Sequence, residues 1–228
     1  MRRREFIKLA ATGGAVVMGG AAGFLIRPAL DHKVKRVLSI VTDSQGMPRM
    51  SEVPVEETWV ARVINSYSDR FEIFTTMQRG LMTNQLLVIA EELTLNYKPA
   101  LTIMQLGIVD AIEQVTNPPV DEQLIPNTFH NNMYEFLFQM QGSTNALIGL
   151  AGPGKALVEA HAAMKDEIDR YNAVLMDLTK QWIPNNSFLD PFGSLPPDGY
   201  LIKDGTHLST EGHRLVFEKV SAWLDANE

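Results

Sequence analysis

The stretch Val34-Lys35-Arg36-Val37-Leu38-Ser39-Ile40-Val41-Thr42-Asp43-Ser44-Gln45-Gly46 decides the fold. Val34–Val41 is a β-rich run that follows a polar break, and it predicts a buried first strand. Thr42–Gly46 is a cluster of turn formers that ends it. Downstream, Glu56–Ser68 has helical apolar spacing through Trp59, Val60, Val63 and Ile64. Phe71–Thr75 reads as a short second strand. Leu81–Leu95 reads as a helix with Leu86, Leu87, Ile89, Ala90 and Leu93 inward, stopped by Pro99. Ala100–Leu106 is a third apolar strand. Strand, helix, strand, helix, strand at this spacing predicts a parallel sheet with helices on both faces.

The rhythm then breaks. Asn117-Pro118-Pro119 and Gly152-Pro153-Gly154 bracket an Asn- and Met-rich stretch with a helix expected at Asn131–Gln141. The whole of 111–154 is expected to be an insertion that caps one end of the sheet and shapes what the site accepts. Lys155–Trp182 is expected as one long helix, with Leu157, Ala160, Met164, Ile168, Tyr171, Leu175 and Leu178 on its inner face. Ser187–Asp190 resembles a late strand. Thr210–Ala226 is a closing amphipathic helix through Leu215, Val216, Val220 and Leu224. The length of 228 residues fits one domain over 31–228.

The first thirty residues read as an address. Arg2-Arg3-Arg4-Glu5-Phe6-Ile7-Lys8 is followed by an uncharged run over 9–26, the pattern of an export signal. Arg3-Arg4-Glu5-Phe6-Ile7-Lys8 resembles the twin-arginine motif, and the expected location is periplasmic or secreted. Residues 9–26 could also remain as a marginal membrane tether. Residues 1–30 hold 5 of the 20 Lys+Arg and 1 of the 27 Asp+Glu, so 31–228 carries 15 bases against 26 acids, a net of −11. So acidic a body argues against nucleic-acid binding, which needs a dense basic surface. The chain has no cysteine, which excludes disulfides, thiol nucleophiles and Cys-ligated metals.

A serine hydrolase needs a serine, a base within hydrogen-bond reach and an acid that orients the base. Ser44 falls where the first strand ends, which is where open α/β sheets place their sites. Asp204 and His207, three residues apart, can face one cavity from a single loop. The other histidines offer less. His213, at the start of the last helix, is expected to pack or cap. His32, His130 and His161 show no metal-ligand spacing. Neither a Gly-x-Ser-x-Gly elbow nor a dinucleotide-binding Gly-x-Gly-x-x-Gly is present.

Thr42-Asp43-Ser44, then Arg79-Gly80, then Gln105-Leu106-Gly107-Ile108-Val109-Asp110, then Asp204-Gly205-Thr206-His207-Leu208-Ser209 with Glu211-Gly212-His213, resemble in order the four blocks of the SGNH (GDSL) hydrolases. The run from Asp43 to Arg49, with Glu57-Thr58-Trp59 and Leu-Gly-Ile-Val-Asp, is similar to a bacterial subgroup associated with surface polysaccharide genes. The resemblance implies a three-layer α/β/α sandwich, flavodoxin-like, with a five-stranded parallel sheet, here with the helical insertion. It implies an acyl-ester hydrolase with Ser44 as nucleophile, His207 as base, Asp204 orienting His207, and the N–H groups of Ser44 and Gly80 in the oxyanion hole. It implies no metal or organic cofactor, and a small acyl ester or acylated carbohydrate as partner. Acyl transfer to a polysaccharide by the same triad, or a non-catalytic carbohydrate-binding or assembly role, are the alternatives.

Two positions depart from the family. Thr42 stands where Gly is usual, and a β-branched residue requires an ordinary backbone there. Val109 stands where the family carries an Asn that donates to the oxyanion, and Val donates nothing. Asp110 is expected to hold the neighbouring loop through backbone N–H bonds. Arg49 is expected either to supply a charged donor near Ser44 or to pair with a surface acid.

Overall fold

The computed structural model describes residues 35–49, 51–118, 125–180 and 185–228. The export signal and possible tether fall on residues 1–30, which lie outside the described residues. Five parallel strands make one sheet in the order β2-β1-β3-β4-β5: β1 Arg36–Thr42, β2 Phe71–Met77, β3 Leu101–Gln105, β4 Thr144–Ile148 and β5 Asn186–Leu189. With α1 Trp59–Tyr67, α2 Leu86–Glu92, α3 Ile108–Thr116, α4 Ile125–Gln139, α5 Lys155–Ala160, α6 Met164–Lys180 and α7 Thr210–Ala226, this is a three-layer α/β/α sandwich.

The pleat sorts the strand side chains between two cores. Leu38 and Ile40, Leu101 and Ile103, and Ala146 and Ile148 face α1 and α7, where they meet Trp59, Val63, Val216, Val220 and Leu224. Val41, Met104 and Leu147, one residue out of phase, face α2, α3, α4 and α6. A strand buried on both faces shows no polar alternation, which is why Val34–Val41 and Ala100–Leu106 read as continuous apolar runs. At about 25 cal/mol per Å², burial of this kind contributes roughly 1.5–3 kcal/mol for each large side chain.

Two expectations need correcting. The stretch 111–154 is not one insertion. Its last part is β4, hydrogen-bonded between β3 and β5. Thr144-Asn145-Ala146-Leu147-Ile148 is short and has Asn and Ala, both depleted in strands, near its start, so it carried little signal of a buried strand. Its helical part, α4, belongs to a face of the sandwich: Phe129, Met133, Phe136 and Leu137 are buried against α2 and α6. The long helix over Lys155–Trp182 is two helices, α5 and α6, divided at His161, which takes an extended conformation. No Gly or Pro marks that break, and Ala160 is exposed instead of inward. Trp182 lies outside the described residues.

One polar contact ties the last helix to the first. His213 in α7 is 1% exposed, and its Nδ1 accepts the N–H of Trp59, the first residue of α1, at 3.2 Å. That bond satisfies a donor that the helix leaves without an internal partner. It also requires a neutral ring. Burial, with the charges of Arg62 and Arg49, lowers the His213 pKa from 6.5 to about 4. The unfolded chain therefore binds the extra proton first, so the stability this site contributes is complete above about pH 6.5 and is lost as pH falls toward 4. His213→Gln keeps an acceptor and removes the titration. Melting curves from pH 7 to pH 4 should show a steeper acid loss in the wild type than in the variant, by on the order of 3 kcal/mol at the acid end.

Candidate active site

From β1 the chain crosses first to β2 on one side and then to β3 on the other, so the carboxyl end of β1 is the point where the winding reverses. Crevices form there in open parallel sheets. Thr42, the last residue of β1, pairs with Met77 of β2 and Gln105 of β3. The next residues make a buried one-turn 3-10 helix over Ser44–Gly46, capped by the Asp43 carboxylate, whose Oδ1 accepts the Gln45 N–H at 2.8 Å. Ser44 thus holds the first position of a helical turn, where an N–H points outward with no internal partner. Thr42, as the last residue of β1, keeps the extended backbone that suits a β-branched residue, and Asp43 has φ −82°, an unstrained angle. Gly46 makes the fold-back possible: a Cβ there would lie 2.3 Å from the Thr42 Cγ2.

The second component is the loop before α7. A bridge between Leu201 and Leu208 and a bond from the Ile202 N–H to the His207 carbonyl close it. Gly205, at φ +72°, turns the chain in the left-handed region that favours glycine. The Asp204 Oδ1 accepts the N–H groups of Thr206 at 2.8 Å and His207 at 2.9 Å. Its Oδ2 accepts from the His207 Nδ1 at 2.6 Å. With the proton fixed on Nδ1, Nε2 keeps its lone pair, and the Ser44 Oγ lies 3.0 Å from it. Ser44, His207 and Asp204 are therefore brought into one hydrogen-bonded line from positions 163 residues apart.

The charges along this line are ordered. Burial would raise the Asp204 pKa, but hydrogen bonds from the His207 N–H, the His207 ring and the Thr206 N–H outweigh it and hold the carboxyl below 3.8. Burial pulls His207 below 6.5; Asp204 works against this, while Arg49 and Arg79 add to it. A base with a lowered pKa is free to accept a proton at neutral pH. Asp43, beneath the nucleophile, is pushed up to about 7 by burial against the opposing Gln45 N–H, which limits negative charge under Ser44 below that pH.

Sequence reasoning missed Gln45. Its Nε2 donates to the Thr206 carbonyl at 2.8 Å, joining the nucleophile turn to the histidine loop. A Gln beside Ser44 gave no sign of this, because the partner is a backbone atom 161 residues away.

Gly80 follows β2 on a loop held to β1 by the Gln78 N–H to the Thr42 carbonyl, 3.2 Å. Its φ is +69°. Among the described residues the N–H groups of Ser44 and Gly80 donate to no protein acceptor. Asp110, at the start of α3, accepts from the Thr83 N–H at 3.1 Å and the Thr83 Oγ1 at 2.6 Å. Asn132 of α4 donates to the same Thr83 Oγ1 at 3.2 Å. The Asp110 carboxyl, raised by burial although Thr83 opposes this, anchors the loop that follows Gly80. Val109 is half-buried and packs against the apolar core of that face. Arg49 is half-buried and Arg79 exposed; neither forms an ion pair among the described residues. No group of three metal-ligating side chains occurs among the described residues. A cavity of about 450 Å³ borders the histidine loop at Gly205 and is lined by Lys155, Leu201 and Lys203, away from the Ser44 hydroxyl.

No family model matches the chain, and no curated protein does. Solved structures match over most of its length. The structure of TesA superposes with a TM-score of 0.65 at 17% identity, covering 85% of this chain and all (100%) of that one. Axe2, an acetylxylan esterase from Geobacillus stearothermophilus, superposes with 0.63 at 17% identity over 82% of this chain and 93% of that one. The acetyl xylan esterase AlAXEase gives 0.63 at 17% identity, over 82% and 100%. At this identity the likeness establishes the fold: the chain shares the three-layer α/β/α architecture of these structures.

The charge pattern around His207 can be checked directly. NMR titration of the ring should give a pKa below 6.5 in the wild type. Asp204→Asn should lower it further, because that carboxylate raises it, and Arg49→Gln should raise it. Movement of the two variants in the same direction would contradict the arrangement.

Proposed function

We propose that the protein is an exported serine esterase that removes an acyl group from a carbohydrate or small ester. The observation that carries this reading is the line Ser44 Oγ, His207, Asp204, at 3.0 and 2.6 Å, together with the Ser44 and Gly80 N–H groups, which have no acceptor among the described residues. The fold supports it, and so does its likeness to the acetylxylan esterases Axe2 and AlAXEase.

The chemistry follows from the proton positions. The Nε2 lone pair takes the Ser44 proton as Oγ bonds to the ester carbonyl carbon. The carbonyl oxygen becomes an oxyanion, and the Ser44 and Gly80 N–H groups are the donors available to it. One such donor contributes about 2.7–4 kcal/mol to a transition state. The imidazolium, stabilised by Asp204, returns the proton to the alcohol oxygen as the carbon–oxygen bond breaks. A water then attacks the acyl carbon, giving its proton to His207, which passes it to the Ser44 Oγ as the carbon–Oγ bond breaks and the free acid leaves. Asp204 accepts hydrogen bonds throughout and stays ionised, in keeping with its lowered pKa.

A second reading has one observation in its favour. Val109 gives the site no side-chain donor where the family resemblance implies one, which fits a protein that binds acylated glycan without cleaving it. Hydrolysis of p-nitrophenyl acetate separates the two. The esterase reading expects turnover that falls by about a thousandfold or more in Ser44→Ala. Equal rates in both proteins would contradict it.

Export rests on the resemblance of Arg3-Arg4-Glu5-Phe6-Ile7-Lys8 to a twin-arginine motif. Changing both arginines to lysine should leave the protein in the cytoplasm of a host with that pathway. Unchanged export of the double variant would contradict the assignment.

A further inference from the structure

Seven arginines lie among the described residues. Arg62, Arg70, Arg170 and Arg214 each pair with a carboxylate. Arg36 donates to the Asn227 carbonyl. Among the described residues, Arg49 and Arg79 have neither an ion pair nor a hydrogen bond from their guanidinium groups, and the Arg49 Nε is buried with no partner there. In a body carrying 26 acids against 15 bases, two unpaired arginines are unexpected on a surface where carboxylates are plentiful.

Both belong to the site. Arg49 lies five positions after Ser44, pinned by its backbone bridge to Val53. Arg79 directly precedes Gly80, two residues past Met77, which pairs with Thr42 at the end of β1. The two charges are close enough to act on one another, and both act on the His207 ring. The acids that reach Arg49 do not neutralise it. Asp204 has both oxygens engaged by the His207 loop. Asp43 is fully buried, and its Oδ1 accepts the Gln45 N–H. Glu52 acts on Arg49 without forming an ion pair. Two like charges held together beside a catalytic base disfavour the empty site, and an anion between them removes that repulsion. Guanidinium groups are suited to this, since their fork of N–H donors matches a carboxylate or phosphate.

We propose that Arg49 and Arg79 form an anion clamp, and that the ester this site processes carries a carboxylate or a phosphate within side-chain reach of the scissile bond. This rests on the esterase reading and narrows its substrate class to anionic esters, such as an acylated acidic sugar. The clamp supplies the local positive charge that an acidic body would otherwise deny such a substrate. It differs from a role for Arg49 as oxyanion donor, which would speed neutral and anionic esters alike.

The experiment compares three acetyl esters: phenyl acetate, 4-acetoxybenzoate and 4-acetoxyphenyl phosphate. Each kcat/KM is divided by the rate of that ester with hydroxide, to remove leaving-group differences. At least one anionic ester should exceed phenyl acetate by about tenfold or more, the size of one charge-assisted contact. Preference for the benzoate identifies a carboxylate site, preference for the phosphate a phosphate site, and preference for both a general oxyanion clamp. The preference should collapse in Arg79→Gln and persist in Arg79→Lys, which keeps the charge. Equal normalised rates for all three esters, or a preference that survives in Arg79→Gln, would overturn the clamp. The phenyl acetate rate separates this from the esterase reading: if it depends on Ser44 while no preference exists, the esterase stands and the clamp falls.

Discussion

The site depends on how β1 ends. A buried parallel strand must leave the sheet without stranding its polar groups, and here it does so in a 3-10 turn capped by Asp43 and folded against Thr42 through Gly46. That turn fixes the Ser44 hydroxyl, turns its N–H outward and places Gln45 under the histidine loop. The Gln45 bond to the Thr206 carbonyl then ties two segments far apart in sequence. A 1 Å error in the Ser44–His207 separation would change a hydrogen bond into a mere contact, so the tie matters as much as the triad itself. The Asp110–Thr83–Asn132 bonds do the same for the loop after Gly80.

The electrostatics divide on two scales. Over the whole of 31–228 the chain is strongly acidic, while the cations Arg49 and Arg79 act on the His207 ring. Those cations favour the neutral imidazole, and Asp204 opposes them by favouring the imidazolium. Their balance favours an unprotonated ring at neutral pH, with Asp204 there to stabilise the imidazolium that the proposed mechanism requires. The placing of His213 follows a related logic in the first turn of α7, where burial, with the charges of Arg62 and Arg49, keeps the ring neutral so that it can accept a helix N–H.

Much of this was legible in the sequence, and the gaps have physical causes. The first three strands and the last helix announce themselves by apolar runs and by helical spacing. β4 does not, because it is short, Asn145 and Ala146 are weak strand formers, and the strand owes its place to neighbours on both sides. The division between α5 and α6 has no Gly or Pro to signal it. Ser44, Asp204 and His207 stood out because their residue types, order and spacing are those that the chemistry needs. Gln45 and Thr83 did not, since each acts through a partner that only the fold brings near. Arg49 was open between a donor and a surface ion pair; the fold leaves it without an ion pair, and its meaning comes from Arg79 across the site.

The account's central claim is that Ser44 is a nucleophile activated by His207. Intact-mass and peptide mapping after treatment with a fluorophosphonate tests it most directly, because the reagent bonds only to an activated hydroxyl. The account predicts a single adduct on Ser44, absent in Ser44→Ala and strongly slowed in His207→Ala. No adduct on the wild-type protein, or an adduct at another residue, would contradict it.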